Sequence, residues 1–499
     1  MTILIKNGLI YSGIEEPPVK KDILIQGKKI VYIGDFSKKK ADLIIDATQK
    51  IVTPGFIDIN ANSDHFLSIF TEPYQEDFVK QGVTTIIGGN CGISLAPIIR
   101  GSLYFIDKWA ETNVININWR SLGEFLDLLE KQKLGLNFGT LVGHSTIRRI
   151  ITQGKFRDLT DKEIESSKKI LEESFNEGAL GLSSGLSFAH SKKVPTYEIN
   201  AIAEVAALSG KVYATHLRNY ENKLLESIEE TLDLSKKTKA NIEISHFQPV
   251  KIFSPIYKKA IEIINKESAN NYINFDIHPF ENSSVDLYAL LPKWLQNGNL
   301  NEMEKNTMSP WLNNILLDHF IEFNDKDIII ENIVDPKFKF LEGKTITEFA
   351  ENQGLKVNES ILKLMQLTHL KATISLRDID CSMLEKLIAE NSSIIASSTA
   401  ALDPKHSKFK KNYWSFPTFL KLIVDKKIIS FEKAISKITS LPAKKYNIPK
   451  RGTIQEGYCA DINILNSETP QTVIINGQIV FDNNELKKKL SGSIIRGKK

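Results

Sequence analysis

The sequence predicts an α/β protein: a (β/α)8 TIM barrel carrying a small β-sandwich made from both termini. Three observations lead there. Through the middle of the chain, short apolar runs alternate with helical patterns, the rhythm of parallel strands joined by crossover helices. The two ends look alike: Ile5-Lys6-Asn7-Gly8-Leu9-Ile10 and Ile474-Ile475-Asn476-Gly477-Gln478-Ile479 each set an Asn-Gly pair in a β-rich run, a hairpin signal. The last two strand candidates are also separated by far more chain than one βα unit needs.

The elements follow in order. Residues 1–52 and 446–499 are expected to form the sandwich. Ile23-Leu24-Ile25-Gln26-Gly27-Lys28-Lys29-Ile30-Val31 and Asp461-Ile462-Asn463-Ile464-Leu465 add strands to it. Residues 53–445 are expected to form the barrel. Its strands should end near Ile59, Gly88, Val142, Ser183, Thr215, Ser245, Ile277 and Ser397. A representative helix runs from Asp161 to Glu177, after Leu159-Thr160, with Ile164, Ile170, Leu171 and Phe175 on one face. Roughly 115 residues separate the seventh and eighth strands, against about 30 for a βα unit. An inserted subdomain over about 285–345 accounts for the excess and includes Leu290-Leu291-Pro292-Lys293-Trp294. In such barrels the reacting side chains sit at the C-terminal ends of the strands. The candidates are therefore sought there.

Composition narrows the classes. The chain has 499 residues, 42 % of them hydrophobic and 25 % charged, which is ordinary for a globular protein. A net charge of +4 is too balanced to argue for nucleic acid, and the lysine runs 38–40 and 487–489 read as solvated faces. The three cysteines, Cys91, Cys381 and Cys459, make no disulfide framework and suit reduced thiols in a cytoplasmic protein. The N-terminal run is broken by Lys6 and Asn7 too early for a signal peptide. No apolar stretch approaches the roughly 20 residues that span a bilayer.

The strand-end residues carry the chemistry. Pro54-Gly55-Phe56-Ile57-Asp58-Ile59-Asn60-Ala61-Asn62-Ser63-Asp64 is an apolar strand that ends in two polar residues one apart. Alternation along a strand would point Asn60 and Asn62 the same way, as two ligands of one metal must point. The second strand runs through Gly88-Gly89 into Asn90-Cys91-Gly92, which places Cys91 at the barrel mouth or, alternatively, as a buried thiol. The fifth strand ends at His216 and the sixth at His246. Cys91, His216 and His246 together make a thiolate–imidazole set suited to one zinc ion with a fourth position open.

These motifs resemble the D-aminoacylase (N-acyl-D-amino-acid deacylase) branch of the amidohydrolase superfamily. The resemblance covers Gln81-Gly82-Val83-Thr84-Thr85, Gly89-Asn90-Cys91-Gly92, Gly143-His144-Ser145-Thr146 and Gly178-Ala179-Leu180-Gly181-Leu182-Ser183-Ser184-Gly185-Leu186. It continues through Thr215-His216-Leu217-Arg218-Asn219, Ser245-His246, Leu290-Leu291-Pro292-Lys293-Trp294, Phe416-Pro417 and Gly457-Tyr458-Cys459-Ala460-Asp461. It implies a zinc-dependent hydrolase of non-peptide C–N bonds acting on small N-acyl amino acids, with Cys91, His216 and His246 as the tighter metal site.

Other positions depart from the pattern that the resemblance implies. Asn60 and Asn62 stand where it expects two histidines, and Ser398 stands at the aspartate that serves as general base. Gln248 replaces a lysine, His278-Pro279-Phe280 a Tyr-Pro-Tyr, and Phe188 a tyrosine. Lys411 aligns with the arginine that would hold the substrate carboxylate, and Ser284 with a serine near the acyl group. Asp64, His144 and above all His278 are candidate stand-ins for the base, although Asp64 also reads as a turn acceptor and His144 as a packing residue. Three functions stay open. One is an amide hydrolase with a single zinc. Another is a non-catalytic relative, a pseudoenzyme that binds a ligand or a protein. The third is an altered reaction using His278 and Asp64.

Overall fold

A computed structural model of the chain describes residues 1–36, 40–98, 103, 106, 109–110, 115–155, 157–188, 191–268, 273–296, 300–323, 327–401 and 410–498. Its centre is a sheet of eight strands, all paired in parallel: Phe56–Asp58, Val83–Gly88, Asn137–Gly143, Gly181–Gly185, Val212–His216, Asn241–Ser245, Ile273–Ile277 and Ser393–Ile395. Just beyond the last and first strands, Ser398 N donates to Asn60 O (3.0 Å) and Asn62 N to Thr399 O (2.7 Å). These bonds draw the sheet's two edges together into a barrel, the TIM-barrel class that the alternation predicts.

Side-chain alternation divides the strands between two cores. In the seventh strand Ile273, Phe275 and Ile277 join the large cluster that also contains helix residues such as Leu126, Leu171 and Ile202. Asp276 and His278 are thereby turned to the other face. In the fifth strand Tyr213 joins that outer cluster, while Val212 and Ala214 pack in a second one with Ile57, Ile87 and Leu141. The helix Asp161–Glu177 shows how local sequence sets the outer layer. Thr160 caps it in a reciprocal box with Glu163, and Gly178 ends it with a φ of 118°. Ile164, Leu171 and Phe175 are buried, and Ile170 is partly so.

The terminal segments differ in detail from the expectation. Their nine strands form one continuous sheet, joined where Ile51–Pro54 pairs antiparallel with Ile462–Asn466, rather than two separately paired layers. Asn476-Gly477 is a two-residue hairpin turn, with φ values of 49° and 72°. Asn7-Gly8 is not a turn. It lies within the strand Thr2–Ile10 at a register shift opposite Val19–Gln26. A Cβ on Gly8 would come within 2.4 Å of Val52, so the glycine answers a close approach instead. The hairpin that follows turns at Gly27-Lys28.

The unit inserted between the seventh and eighth barrel strands is longer than 285–345. Its three-stranded antiparallel sheet runs from Ser283–Asp286 through Ile328–Ile333 to Ala372–Leu376. It has its own core, which includes Leu316, Phe320, Ile330, Leu364 and Ile374. The expected boundary fell short because the central strand of this sheet is the last in sequence. Among the described residues no helix is long and apolar enough to cross a membrane.

Candidate metal centre

His246 is the hub of the barrel mouth. It follows the sixth strand directly, with a left-handed backbone φ of 56°. Cys91 and Ser398 lie just past the second and eighth strands and share that conformation, with φ values of 54° and 53°. Each such non-glycine residue costs on the order of 1–3 kcal/mol, and such strain clusters at functional sites.

Each ring nitrogen of His246 faces a different group of donors. Nε2 lies 3.2 Å from Cys91 Sγ and 3.4 Å from Asn60 Nδ2. Nδ1 lies 3.2 Å from His278 Nε2 and 3.9 Å from Asp276 Oδ1. On its far side, His278 Nδ1 is 3.2 Å from the Ala396 carbonyl, which can only accept. His278 therefore carries its hydrogen on Nδ1, and its Nε2 lone pair faces His246. The sequence-expected stand-in base thus has both ring nitrogens engaged.

His216 completes the row. Its ring centroid is 5.3 Å from that of His246 and 5.0 Å from that of Phe188. His216 Nδ1 faces Ser187 Oγ at 3.0 Å and the Leu217 carbonyl at 3.4 Å. A proton on Nδ1 suits both partners and leaves the lone pair on Nε2. Burial pushes this imidazole down to about 4, so it is neutral at neutral pH.

Two buried carboxylates support the hub. Asp276 Oδ1 accepts from His246 N (2.9 Å), and its Oδ2 accepts from Asn60 Nδ2 (2.9 Å). Burial pushes Asp276 up to about 7. The two hydrogen bonds oppose that rise, and the charge of Asp58 adds to it. Asp58, pushed up to about 6 by its own burial, accepts from Ser397 Oγ (2.5 Å) and from the Asn60 and Ser397 N–H groups. Among the described residues, the group of three ligand-type side chains whose donor atoms all lie within 4.8 Å of one another is His246, Asp276 and His278. Sequence reasoning passed over Asp276. The signal was there: Asp276 and His278 stand one apart at the end of a strand, the same spacing that drew attention to Asn60 and Asn62.

The other candidates fall as follows. The first strand ends at Asp58 and the chain bends at Ile59–Asn60, so strict alternation does not reach Asn62. Asn60 Oδ1 is buried without a hydrogen-bond partner. Gln248 clamps His278: its Nε2 donates to His278 O (2.9 Å) and its Oε1 accepts from His278 N (3.0 Å). Asp64 Oδ2 accepts from Gly89 N at 2.6 Å, the turn-acceptor role. His144 lies 2.8 Å from Glu198, in a buried network with Arg148. Ser284 is in the inserted sheet, and its hydroxyl donates to Glu331. Lys411 lies in the helix Lys410–Lys426, with its side chain outside the described residues.

Comparison with known proteins agrees with this architecture. Residues 298–480 match the model of the amidohydrolase family. The chain is 24 % identical to a D-aminoacylase of Alcaligenes xylosoxydans xylosoxydans, over 94 % of this chain and 88 % of that one. The matched segment carries the signature of the amidohydrolase family. The likeness is a distant one over the whole length: an N-acyl-D-aspartate deacylase of the same organism is 23 % identical over 99 % of this chain and 94 % of its own length. In three dimensions the chain superimposes with a TM-score of 0.82 on an N-acyl-D-glutamate deacylase of Bordetella bronchiseptica, at 21 % identity and 99 % coverage of both chains. That neighbour was determined with zinc and a phosphonate inhibitor that mimics the tetrahedral intermediate of its reaction.

Proposed function

We propose that this amidohydrolase cleaves the amide bond of an N-acyl amino acid, using one zinc ion held by Cys91, His216 and His246. The observation that carries the reading is the 3.2 Å approach of Cys91 Sγ to His246 Nε2 at the barrel mouth. A thiolate beside neutral imidazoles is a donor set that suits zinc. The unpartnered Asn60 Oδ1 adds a buried polar atom beside it. By donor type these residues would hold the ion. Bound there, zinc supplies Lewis acidity for attack on an amide carbonyl.

The chain's own groups set the rest. His278 and Asp276 orient His246 through its Nδ1 and backbone N–H, and so position a ligand instead of meeting the substrate. Ser398 occupies the position where the resemblance expects the general base, and an ordinary hydroxyl takes no proton near neutral pH. General-base catalysis is typically worth about 10²–10⁴-fold, so slow turnover is expected. Lys411 would meet the substrate carboxylate as a point charge. The partner is a small amide, not nucleic acid or a membrane. With no disulfide among its three cysteines, the protein suits the cytoplasm.

A second reading, a non-catalytic binding relative, draws support from Asn60, whose amide is tied to Asp276 where an imidazole would be expected. Zinc-loaded protein incubated with a panel of N-acyl-D-amino acids separates the two. Release of free amino acid that Cys91→Ala abolishes is the expected result. No amine product from any substrate leaves the binding reading standing.

A further inference from the structure

We propose that His246 Nδ1, Asp276 and His278 Nε2 form a second site for a divalent transition-metal cation. This site lies on the side of the His246 ring that the zinc set does not use. It stands apart from the reading above, because it needs neither Cys91 nor His216.

The geometry carries it. The three donor atoms all lie within 4.8 Å of one another, with the two ring nitrogens 3.2 Å apart and the carboxylate 3.9 Å from Nδ1. A cation between the rings takes the place of the proton that otherwise bridges them. Outer partners already hold each ligand in the required state. The Ala396 carbonyl faces His278 Nδ1 and so directs the Nε2 lone pair toward His246. A metal-ligating histidine usually hands its other N–H to just such an acceptor. Gln248 grips the His278 backbone from both sides. Each Asp276 oxygen accepts one hydrogen bond and keeps further acceptor capacity.

Burial supplies an independent argument. Asp276 is 1 % exposed, and Asn60 joins it to the buried Asp58, its side chain donating to Asp276 and its backbone N–H to Asp58. The direct partners of Asp276 are an amide and a backbone N–H. A buried carboxylate in this state is stabilised by a cation. The buried, unpartnered Asn60 Oδ1 belongs to the same amide that holds Asp276. Two imidazoles and one carboxylate suit Zn2+, Co2+, Mn2+ or Fe2+ over the hard, all-oxygen cations.

The test uses full-length protein, metal-stripped and titrated with Co2+, in a Cys91→Ala/His216→Ala background that removes the other set. One bound equivalent is expected, without thiolate-to-cobalt charge-transfer absorption. Adding His278→Ala or Asp276→Asn should weaken it by more than about 100-fold, beyond the loss typical of an outer-shell partner. A folded double variant that binds no cobalt overturns the proposal, as does binding that is indifferent to both added substitutions. Circular dichroism checks folding, and Cys91→Ser alone replaces the double variant if that one does not fold. Failure of the amide-hydrolysis assay leaves this result untouched. Loss of cobalt here leaves the Cys91 set untouched.

Discussion

At the scale of single residues, the mouth of this barrel depends on side chains that hold other side chains. Gln248 is the clearest case. Its amide makes two hydrogen bonds to the backbone of His278, and His278 in turn faces His246 Nδ1. Gln248→Ala would leave a buried N–H and C=O without these partners, at about 1–3 kcal/mol. Zinc affinity, read by chelator competition, should fall about 10- to 100-fold with the loss of this outer support. Unchanged affinity in a folded variant would show that the clamp does not reach the metal ligands. Cys91, His216 and His246 could be proposed from sequence because each stands at or just past the end of an apolar run. The sequence hid the clamp. A glutamine two residues beyond a histidine has no signature of its own, and its partner is a backbone group 30 residues away. It also hid Asp276. A carboxylate inside a strand reads as a solvated edge residue until the fold is seen to bury it.

At the scale of elements, the barrel's rhythm was legible because apolar alternation and helix caps are local signals. Thr160 with Glu163 and the closing Gly178 mark one helix at both ends. What the rhythm could not show is where polar residues tie one element to another. The helix His144–Thr152 is fastened to the helix Thr196–Leu208 by Glu198, which is fully buried and takes both His144 and Arg148 as partners. Those two hold its carboxyl below the usual range against the opposing effect of burial. Arg148→Met removes one partner and leaves a charge inside the protein. The expected cost is about 3–5 kcal/mol, the range for breaking a buried pair from one side. Glu198→Gln/Arg148→Met, which also removes the charge, should recover part of it. Urea denaturation of the single and double variants measures both values. Equal stability of the two variants would mean that the unpaired charge is not the cause. By the same contacts, His144 is a member of this buried network, the packing role.

At the scale of the whole molecule, the candidate metal centre and the attachment of the terminal sheet occupy opposite ends of the barrel. Cys91, His246 and Ser398 follow the C-terminal ends of their strands, while the terminal sheet joins at the N-terminal ends. Asp461 is the centre of that junction. Its Oδ2 accepts from Asn137 Nδ2 at the start of the third barrel strand (2.9 Å) and pairs with Arg451, and its Oδ1 accepts from Asn476 N (2.7 Å). The Asn476 amide returns to Asn137 Oδ1 at 2.8 Å, and Asn463 Nδ2 donates to Gly82 O, just before the second strand, at 2.8 Å. The likeness of the two chain ends made a shared sheet legible in sequence. The junction was not, because Asp461, Asn137 and Asn476 meet only across the finished fold. Asp461→Ala removes the carboxylate from beside the Arg451 guanidinium and takes one acceptor each from Asn137 Nδ2 and Asn476 N. A loss of about 3–5 kcal/mol is expected, again the cost of an uncompensated buried charge. All five tryptophans, from Trp109 to Trp414, lie outside the terminal segments, so their fluorescence reports the barrel and the inserted unit. If sheet and barrel stabilise each other through Asp461, the urea midpoint read by tryptophan falls together with the one read by circular dichroism. Cobalt binding under native conditions should stay as in the parent, because the junction lies at the other end of the strands. A tryptophan midpoint that does not move would mean that the barrel stands without this junction, and weakened cobalt binding would mean that the two ends are coupled.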